Sequence, residues 1–184
     1  MTKGERRELV ENKAKWIISL LESSFPEGGW KFLEIGVWKG DIEDALMMYA
    51  GDRFEILYAV DPFGQFKDGL TRKVKWQDVY ERISKKFERY GGKVKIMRMM
   101  SDLGAELIDD KVHLVFVDGD HTEVQCYRDI LNYEPKIIPG GFMAGHDYEH
   151  PRCPGVKKAV DRYAKKFKRD LVISGIDFCW CWKL

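Results

Sequence analysis

The sequence lacks any run of about 18 consecutive apolar residues, the length a helix needs to cross a bilayer, so no membrane span is expected. Its opening stretch, MTKGERRELVENKAKW, has no apolar core of the kind a secretory signal carries. Cysteine is scarce: Cys126, Cys153, Cys179 and Cys181 are the only four, irregularly spaced and late in the chain. This argues against a disulfide framework and for reduced thiols in a cytoplasmic setting. Cys179 and Cys181 stand two apart, which on a strand puts both on one face, as a pair of small core side chains rather than metal ligands. Internal repeats, low-complexity tracts and Pro/Ser-rich linkers are missing as well. One domain over residues 1–184 is therefore expected, with an N-terminal helix over 1–25 and a catalytic core over 30–184.

An excess of one charge sign is also missing. Lys and Arg number 31 and Asp and Glu 30, a net charge of +1. Proteins that coat polyanions draw their affinity from many unpaired Lys and Arg, so nucleic acid is not expected as a partner. The basic cluster Lys157, Lys158, Lys165, Lys166, Lys168 and Arg169 is taken as the solvated face of a final helix. With 45% hydrophobic residues the chain has enough apolar content to fold rather than stay disordered.

What is present is an alternation of two periods. Val10, Ala14, Ile17, Ile18 and Leu21 recur at helical spacing, which predicts a helix over about 5–24. Short apolar runs at 30–36, 54–61, 93–98 and 112–118 predict strands, and a further strand follows Pro139-Gly140-Gly141. Helices are expected at about 40–50, 76–90, 102–109, 122–133 and 156–167. Two terminal strands, 171–175 and 176–184, turn at Ser174-Gly175. Strands alternating with helices imply a parallel sheet with right-handed crossovers. A short turn can join only antiparallel neighbours. The expected fold is α/β: a doubly wound, Rossmann-like, mostly parallel seven-stranded sheet with an antiparallel hairpin at one edge.

In such sheets ligands bind beyond the carboxyl ends of the strands. After the first strand comes Glu34-Ile35-Gly36-Val37-Trp38-Lys39-Gly40, where two glycines permit a sharp turn and close approach of a ligand. The dinucleotide fingerprint needs a glycine where Glu34 stands, and a carboxylate there suits a ligand with a cationic amino-acid end. Asp61 ends the second strand about 20 residues beyond Gly40, where an acid can accept from ribose hydroxyls; a turn-initiating Asp before Pro62 is the other reading. Ser101 and Asp102 follow the third strand and either border an adenine or cap the next helix. Asp118, Asp120 and His121 follow the fourth strand, and His146 and Asp147 the fifth. Five titratable groups in one crevice call for a divalent cation, an acid/base role, or both.

FLEIGVWKGD, YAVDPF, VFVDGDH, IIPGGFMAGHDY and PGVKKAVDRY together resemble the class I S-adenosylmethionine-dependent methyltransferases, over about residues 30–167. Within that class the chain is similar to the small metal-dependent sugar and macrolide O-methyltransferases. The resemblance implies S-adenosylmethionine as cofactor and a small-molecule hydroxyl as acceptor. Glu34, Gly36 and Gly40 would surround the methionine part, Asp61 the ribose, and Ser101, Asp102 and Asp118 would complete the cofactor site. Asp118, His146 and Asp147 would hold Mg²⁺ or Mn²⁺, with His121 or Asp120 as general base. A histidine at 146 departs from the carboxylate or amide usual in those relatives and softens the site.

Three rivals remain: a dehydrogenase, a non-catalytic cofactor-binding domain, and a nucleic-acid methyltransferase. The acid cluster favours an enzyme, and Asp118-Gly119-Asp120-His121 replaces the N/D-P-P-Y motif expected for amino-group methylation. The acceptor pocket is expected from the first helix, the loop at 62–73 with Phe63 and Phe66, and the segment 148–154. A homodimer that completes the pocket is a further expectation, and the acid cluster is expected to face the basic final helix.

Overall fold

Seven short apolar segments line up as one sheet in the computed structural model, which describes residues 2–64 and 74–184. In chain order the strands are β1 (Trp30–Ile35), β2 (Phe54–Val60), β3 (Val94–Met97), β4 (Val112–Val117), β5 (Ile137–Gly145), β6 (Val172–Ile173) and β7 (Trp180–Lys183). The helices are α1 (Lys3–Ser24), α2 (Asp41–Ala50), α3 (Trp76–Phe87), α4 (Ser101–Leu107), α5 (Glu123–Tyr133) and α6 (Pro154–Phe167). Across the sheet the order is β3-β2-β1-β4-β5-β7-β6. All neighbours from β3 to β5 are parallel, and β7 runs antiparallel to both β5 and β6. Strand order reverses between β1 and β4, so the crevice of a doubly wound sheet opens there.

Alternation along the strands sorts the core into two layers. Trp30 and Phe32 on β1 face α1, α2 and α3, whereas Leu33 and Ile35 face α5 and α6. Helix α1 begins in a capping box, with Thr2 and Glu5 each bonding the other's backbone N–H. Its inner face, Ala14, Ile17 and Leu21, is fully buried, and Trp16 packs partly against the same core. All four cysteines are buried free thiols, and Cys179 and Cys181 lie in the core as their spacing predicts. No described helix is long and apolar enough to cross a membrane.

Two boundaries and one side-chain placement differ from expectation. Strand β5 starts at Ile137, ahead of Pro139, because an irregularity between its pairings with Val112 and Leu114 absorbs the Pro-Gly-Gly segment. Strand β6 keeps only two residues, so the connection to β7 is not a tight Ser174-Gly175 turn. It is a longer loop in which Asp177 and Phe178 take left-handed φ angles of 40° and 56°. Phe63 is buried against the core and lies 5.4 Å, ring to ring, from Tyr80, so it does not line an open loop. Phe66 lies outside the described residues.

Candidate functional site

The turn after β1 is built by contact with β4. Gly36 has φ 89°, and a Cβ on it would sit 2.1 Å from the carbonyl oxygen of Asp118. Asp118 donates its N–H to Ile35 O at 2.8 Å, and Gly36 donates to Val60 O at 2.9 Å. Three strand ends therefore converge on a residue that has room for no side chain. Gly40 precedes α2 with φ 66°, and a Cβ there would lie 2.6 Å from the Phe87 ring.

Asp61 ties this turn down. Its Oδ2 accepts from the N–H groups of Val37 (2.9 Å) and Trp38 (3.1 Å), and its Oδ1 from Phe63 (2.7 Å). A carboxylate offers about four lone-pair sites, so three of them are spent on the backbone. Burial pushes the Asp61 pKa up, and the three N–H bonds pull it back.

Glu34 is 1% exposed, and its Oε2 has no hydrogen-bond partner. Beside it lies Glu43 of α2, fully buried, with neither carboxyl oxygen partnered. Burial, and then the neighbouring Glu43, holds the Glu34 pKa well above the carboxylate range. Burial likewise lifts Glu43 to about 8. Burial thus biases both carboxyls toward their neutral, protonated forms. The helical pattern of α2 gave no reason to single out Glu43, since an acid in a first helical turn is ordinary.

Across the crevice, beyond β4 and β5, carboxylates and imidazoles interlock. His146 Nδ1 lies 3.4 Å from Asp118 Oδ1 and 3.3 Å from Asp147 Oδ2. Its Nε2 lies 3.1 Å from Asp177 Oδ2, and Lys13 Nζ lies 2.9 Å from that same oxygen. His121 Nε2 sits 2.9 Å from Asp147 Oδ2 and 3.9 Å from Asp118 Oδ1. Asp147 itself adopts a left-handed φ of 61°, a conformation uncommon outside glycine and concentrated at functional sites.

The electrostatics follow from this packing. Burial disfavours charge on His146, but Asp118, Asp147 and Asp177 overcome it and raise the pKa to about 12. Asp118 and Asp147 raise His121 to about 10. Burial works against ionisation of Asp118 and Asp147, yet the two histidines hold both below the usual range. His146, with Lys13, lowers Asp177 to about 2. Burial disfavours charge on Lys13 as well, and Asp118 and Asp177 outweigh it. Three carboxylates thus balance three cations.

Four of the five groups expected in the crevice are brought together, and Asp120 is not. Its carboxylate accepts from the Thr122 N–H at 2.8 Å on the exposed approach to α5, where Thr122 is the N-cap. Ser101 and Asp102 do not cap α4, whose N-cap is Met100. Ser101 Oγ donates to buried Asp129 at 2.6 Å, and Asp102 accepts from Arg128 and Asn132 of α5, both at 3.1 Å. The side chains facing the acid cluster are His121, His146, Lys13 and, with Nδ1 3.9 Å from Asp147 Oδ1, His150, rather than the lysines of the final helix. On that helix the lysines are exposed or half-exposed, but Arg169 turns inward to buried Glu134 at 2.6 Å. Sequence reasoning missed Lys13 and Asp177. Lys13 falls within the apolar stripe of α1, between Val10 and Ala14, and Asp177 sits where a strand was expected.

Residues 33–148 match a family model described as a methyltransferase domain. The chain belongs to this methyltransferase family. Among solved structures, the O-methyltransferase NovP superposes with a TM-score of 0.66 at 22% identity, over 97% of this chain and 78% of that one. CalS11, a TDP-rhamnose 3'-O-methyltransferase of calicheamicin biosynthesis, gives 0.67 at 13%, over 94% and 78%. Cofactor-bound Rv0187 from MTB gives 0.65 at 12%, over 96% and 87%. At these identities the likeness is one of fold. No curated protein matches the sequence.

The residues of this methyltransferase domain are compatible with S-adenosylmethionine and with the divalent cation expected from the sequence. The Gly36 turn leaves backbone bare, and the unpartnered Oε2 of Glu34 offers a buried acceptor beside it. For a cation, one donor atom each from Asp118, His146 and Asp147 lies within 4.8 Å of the others. A set of two oxygens and one imidazole nitrogen suits Mn²⁺ or Fe²⁺ as well as Mg²⁺.

Proposed function

We propose that this protein transfers the methyl group of S-adenosylmethionine to a hydroxyl oxygen of a small molecule, such as a sugar, with help from a divalent cation. The observation that carries this reading is the juxtaposition, at the β1/β4 switch point, of the Gly36 turn with the Asp118–His146–Asp147 cluster. The likeness in fold to the O-methyltransferases NovP and CalS11 supports oxygen as the acceptor atom.

In this reading Glu34, Gly36 and Gly40 receive the methionine end. An approaching ammonium group favours the carboxylate form of Glu34 over the protonated form that burial favours. Asp61 holds the turn in shape and keeps one lone-pair direction for a ribose hydroxyl. Ser101 and Asp102 border the adenine side, and Asp118 lies between the cofactor turn and the acceptor. Asp118, His146 and Asp147 would hold Mg²⁺ or Mn²⁺, which supplies Lewis acidity toward the acceptor hydroxyl. A sulfonium methyl is already electrophilic, so alignment and proton removal are the tasks left to the chain.

His121 takes the acceptor proton from its neutral form. With a pKa near 10 that form is scarce at neutral pH while Asp118 and Asp147 face the ring; it is favoured when those carboxylates have another partner. Asp120, exposed and bonded to Thr122, is the weaker candidate for this role. Calorimetric titration of S-adenosylmethionine and of NAD, each with and without Mn²⁺ or Mg²⁺, tests the reading. S-adenosylmethionine is expected to bind and NAD not to; binding of NAD alone would overturn it.

A further inference from the structure

The Lys13–Asp177 pair is a costly thing to bury without a purpose. Lys13 is 8% exposed on the inner side of α1, among apolar residues that could have been extended by one more. Buried ion pairs contribute little net stability, because desolvation of both charges offsets their attraction. What distinguishes this pair is the second contact of its carboxylate. Asp177 Oδ2 faces Lys13 Nζ at 2.9 Å on one side and His146 Nε2 at 3.1 Å on the other.

A carboxylate at that place accepts a hydrogen bond from Nε2–H. The proton on Nδ1, 3.3–3.4 Å from Asp147 and Asp118, is then the one a cation would displace, and the Nδ1 lone pair would face into the cluster. Carboxylate–imidazole–metal triads work in this way: the outer carboxylate fixes the tautomer, orients the ring and makes the ligand nitrogen more basic.

The backbone around Asp177 is arranged to keep the carboxylate there. Asp177 and Phe178 both take left-handed φ angles. Tyr148 donates its N–H to Phe178 O at 3.0 Å, and Trp180 Nε1 donates to His146 O at 3.2 Å. The loop before β7 is thereby pinned to the end of β5 that carries His146.

We infer that Lys13 and Asp177 are positioning residues that hold His146 as an Nδ1 ligand and bias the cation site toward imidazole-accepting metals such as Mn²⁺ over Mg²⁺. This rests on the proposed metal-assisted function. The reason for the bias is that an imidazole nitrogen suits Mn²⁺ and its transition-metal neighbours, whereas Mg²⁺ favours oxygen. Lys13 neutralises the carboxylate that would otherwise stand buried beside two others.

The test uses the full chain. Mn²⁺ and Mg²⁺ are titrated calorimetrically into wild type, Asp177→Asn and Lys13→Met, and Mn²⁺-loaded samples are examined by pulsed electron paramagnetic resonance for coupling to an imidazole nitrogen. Asparagine tolerates a left-handed φ, so Asp177→Asn removes the charge without straining the loop. Loss of such an outer partner weakens metal affinity by about 10–100-fold. Asp177→Asn is expected to lose that much for Mn²⁺, less for Mg²⁺, and to weaken the nitrogen coupling. Lys13→Met is expected to change in the same sense, and it carries the test if the first variant does not fold by circular dichroism.

Unchanged Mn²⁺ affinity in both variants would overturn the inference. So would an equal loss for both ions, which is what a merely structural brace predicts, or a wild-type Mn²⁺ signal without nitrogen coupling. Failure of wild type to bind either ion is a different result: it removes the metal part of the proposed function, and this inference with it.

Discussion

The carbonyl oxygen of Asp118 occupies the space that a side chain on Gly36 would need, 2.1 Å from an ideal Cβ. Both neighbours of that contact are fixed, since Asp118 N–H is bonded to Ile35 O and Gly36 N–H to Val60 O. The floor of the Gly36 turn and the first residue of the acid cluster are therefore one structural unit.

Gly36→Ala should accordingly damage the fold as well as the site. A left-handed φ in a residue with a Cβ costs about 1–3 kcal/mol where it is strained, and the clash with backbone adds to it. Urea unfolding is expected to show a loss above about 3 kcal/mol, at the diagnostic end of single substitutions. A loss below about 1 kcal/mol would mean that β4 can move away from β1.

Glu34→Gln separates burial from charge. Burial favours the protonated form of Glu34 in the cofactor-free protein, so a neutral amide of the same shape should shift stability by less than about 1 kcal/mol. Affinity for S-adenosylmethionine should fall by about 10–100-fold, because a hydrogen bond to a charged group is worth about 1.5–3 kcal/mol. Full affinity in the variant would show that the carboxylate does not meet the ammonium end.

The metal-free cluster predicts a stability profile with two edges. His121 and His146 have pKa values raised from 6.5 to about 10 and about 12, so their contribution is complete below pH 6.5 and is lost as pH climbs through those values. Asp177 is lowered from 3.8 to about 2, with Asp118 and Asp147 lowered too; their contribution is complete above pH 3.8 and is lost as pH falls through the folded-state values. The cluster's own contribution without metal should therefore be flat between about pH 4 and 6.5 and decline on either side, while buried Glu34 and Glu43, with raised pKa values, make melting temperature fall as pH rises above about 4.5. Added Mn²⁺ must compete with the proton on His146, so its affinity should rise with pH and binding should release protons. Calorimetry in buffers of different ionisation enthalpy reads that release directly.

His121→Ala should lower turnover by about 10²–10⁴-fold, the usual worth of a general base, while leaving S-adenosylmethionine affinity within about twofold. In the wild-type protein without metal, turnover should rise with pH toward 10. Full turnover of the variant on a confirmed acceptor would remove His121 from the mechanism.

The fold was legible in the sequence because buried parallel strands announce themselves. VHLVFV and FEILYAV are apolar on both faces, and glycines or Asp follow them where the chain must turn. The strand-end residues Gly36, Gly40, Asp61, Asp118, His146 and Asp147 were legible for the same reason: a doubly wound sheet gathers whatever follows its strands. Glu43, Lys13 and Asp177 were not. Each becomes informative only through partners distant in sequence, Glu34 for the first and His146 for the others. A lone charged residue beside an apolar stripe carries no such mark. Arg169 shows the converse, a cation assigned to solvent whose partner Glu134 is buried and visible only in three dimensions.

The ion pair between Lys13 and Asp177 ties α1 to the loop before β7, across almost the whole described chain. Contacts of such long sequence separation form only after the entropy of closing the intervening segment has been met. During synthesis the turn at Gly36 and the end of β4 can meet while the C-terminal part is still emerging, but the support behind His146 cannot. The cluster reaches its finished arrangement only when β7 has docked against β5, which makes completion of the site a report that the last strand is home.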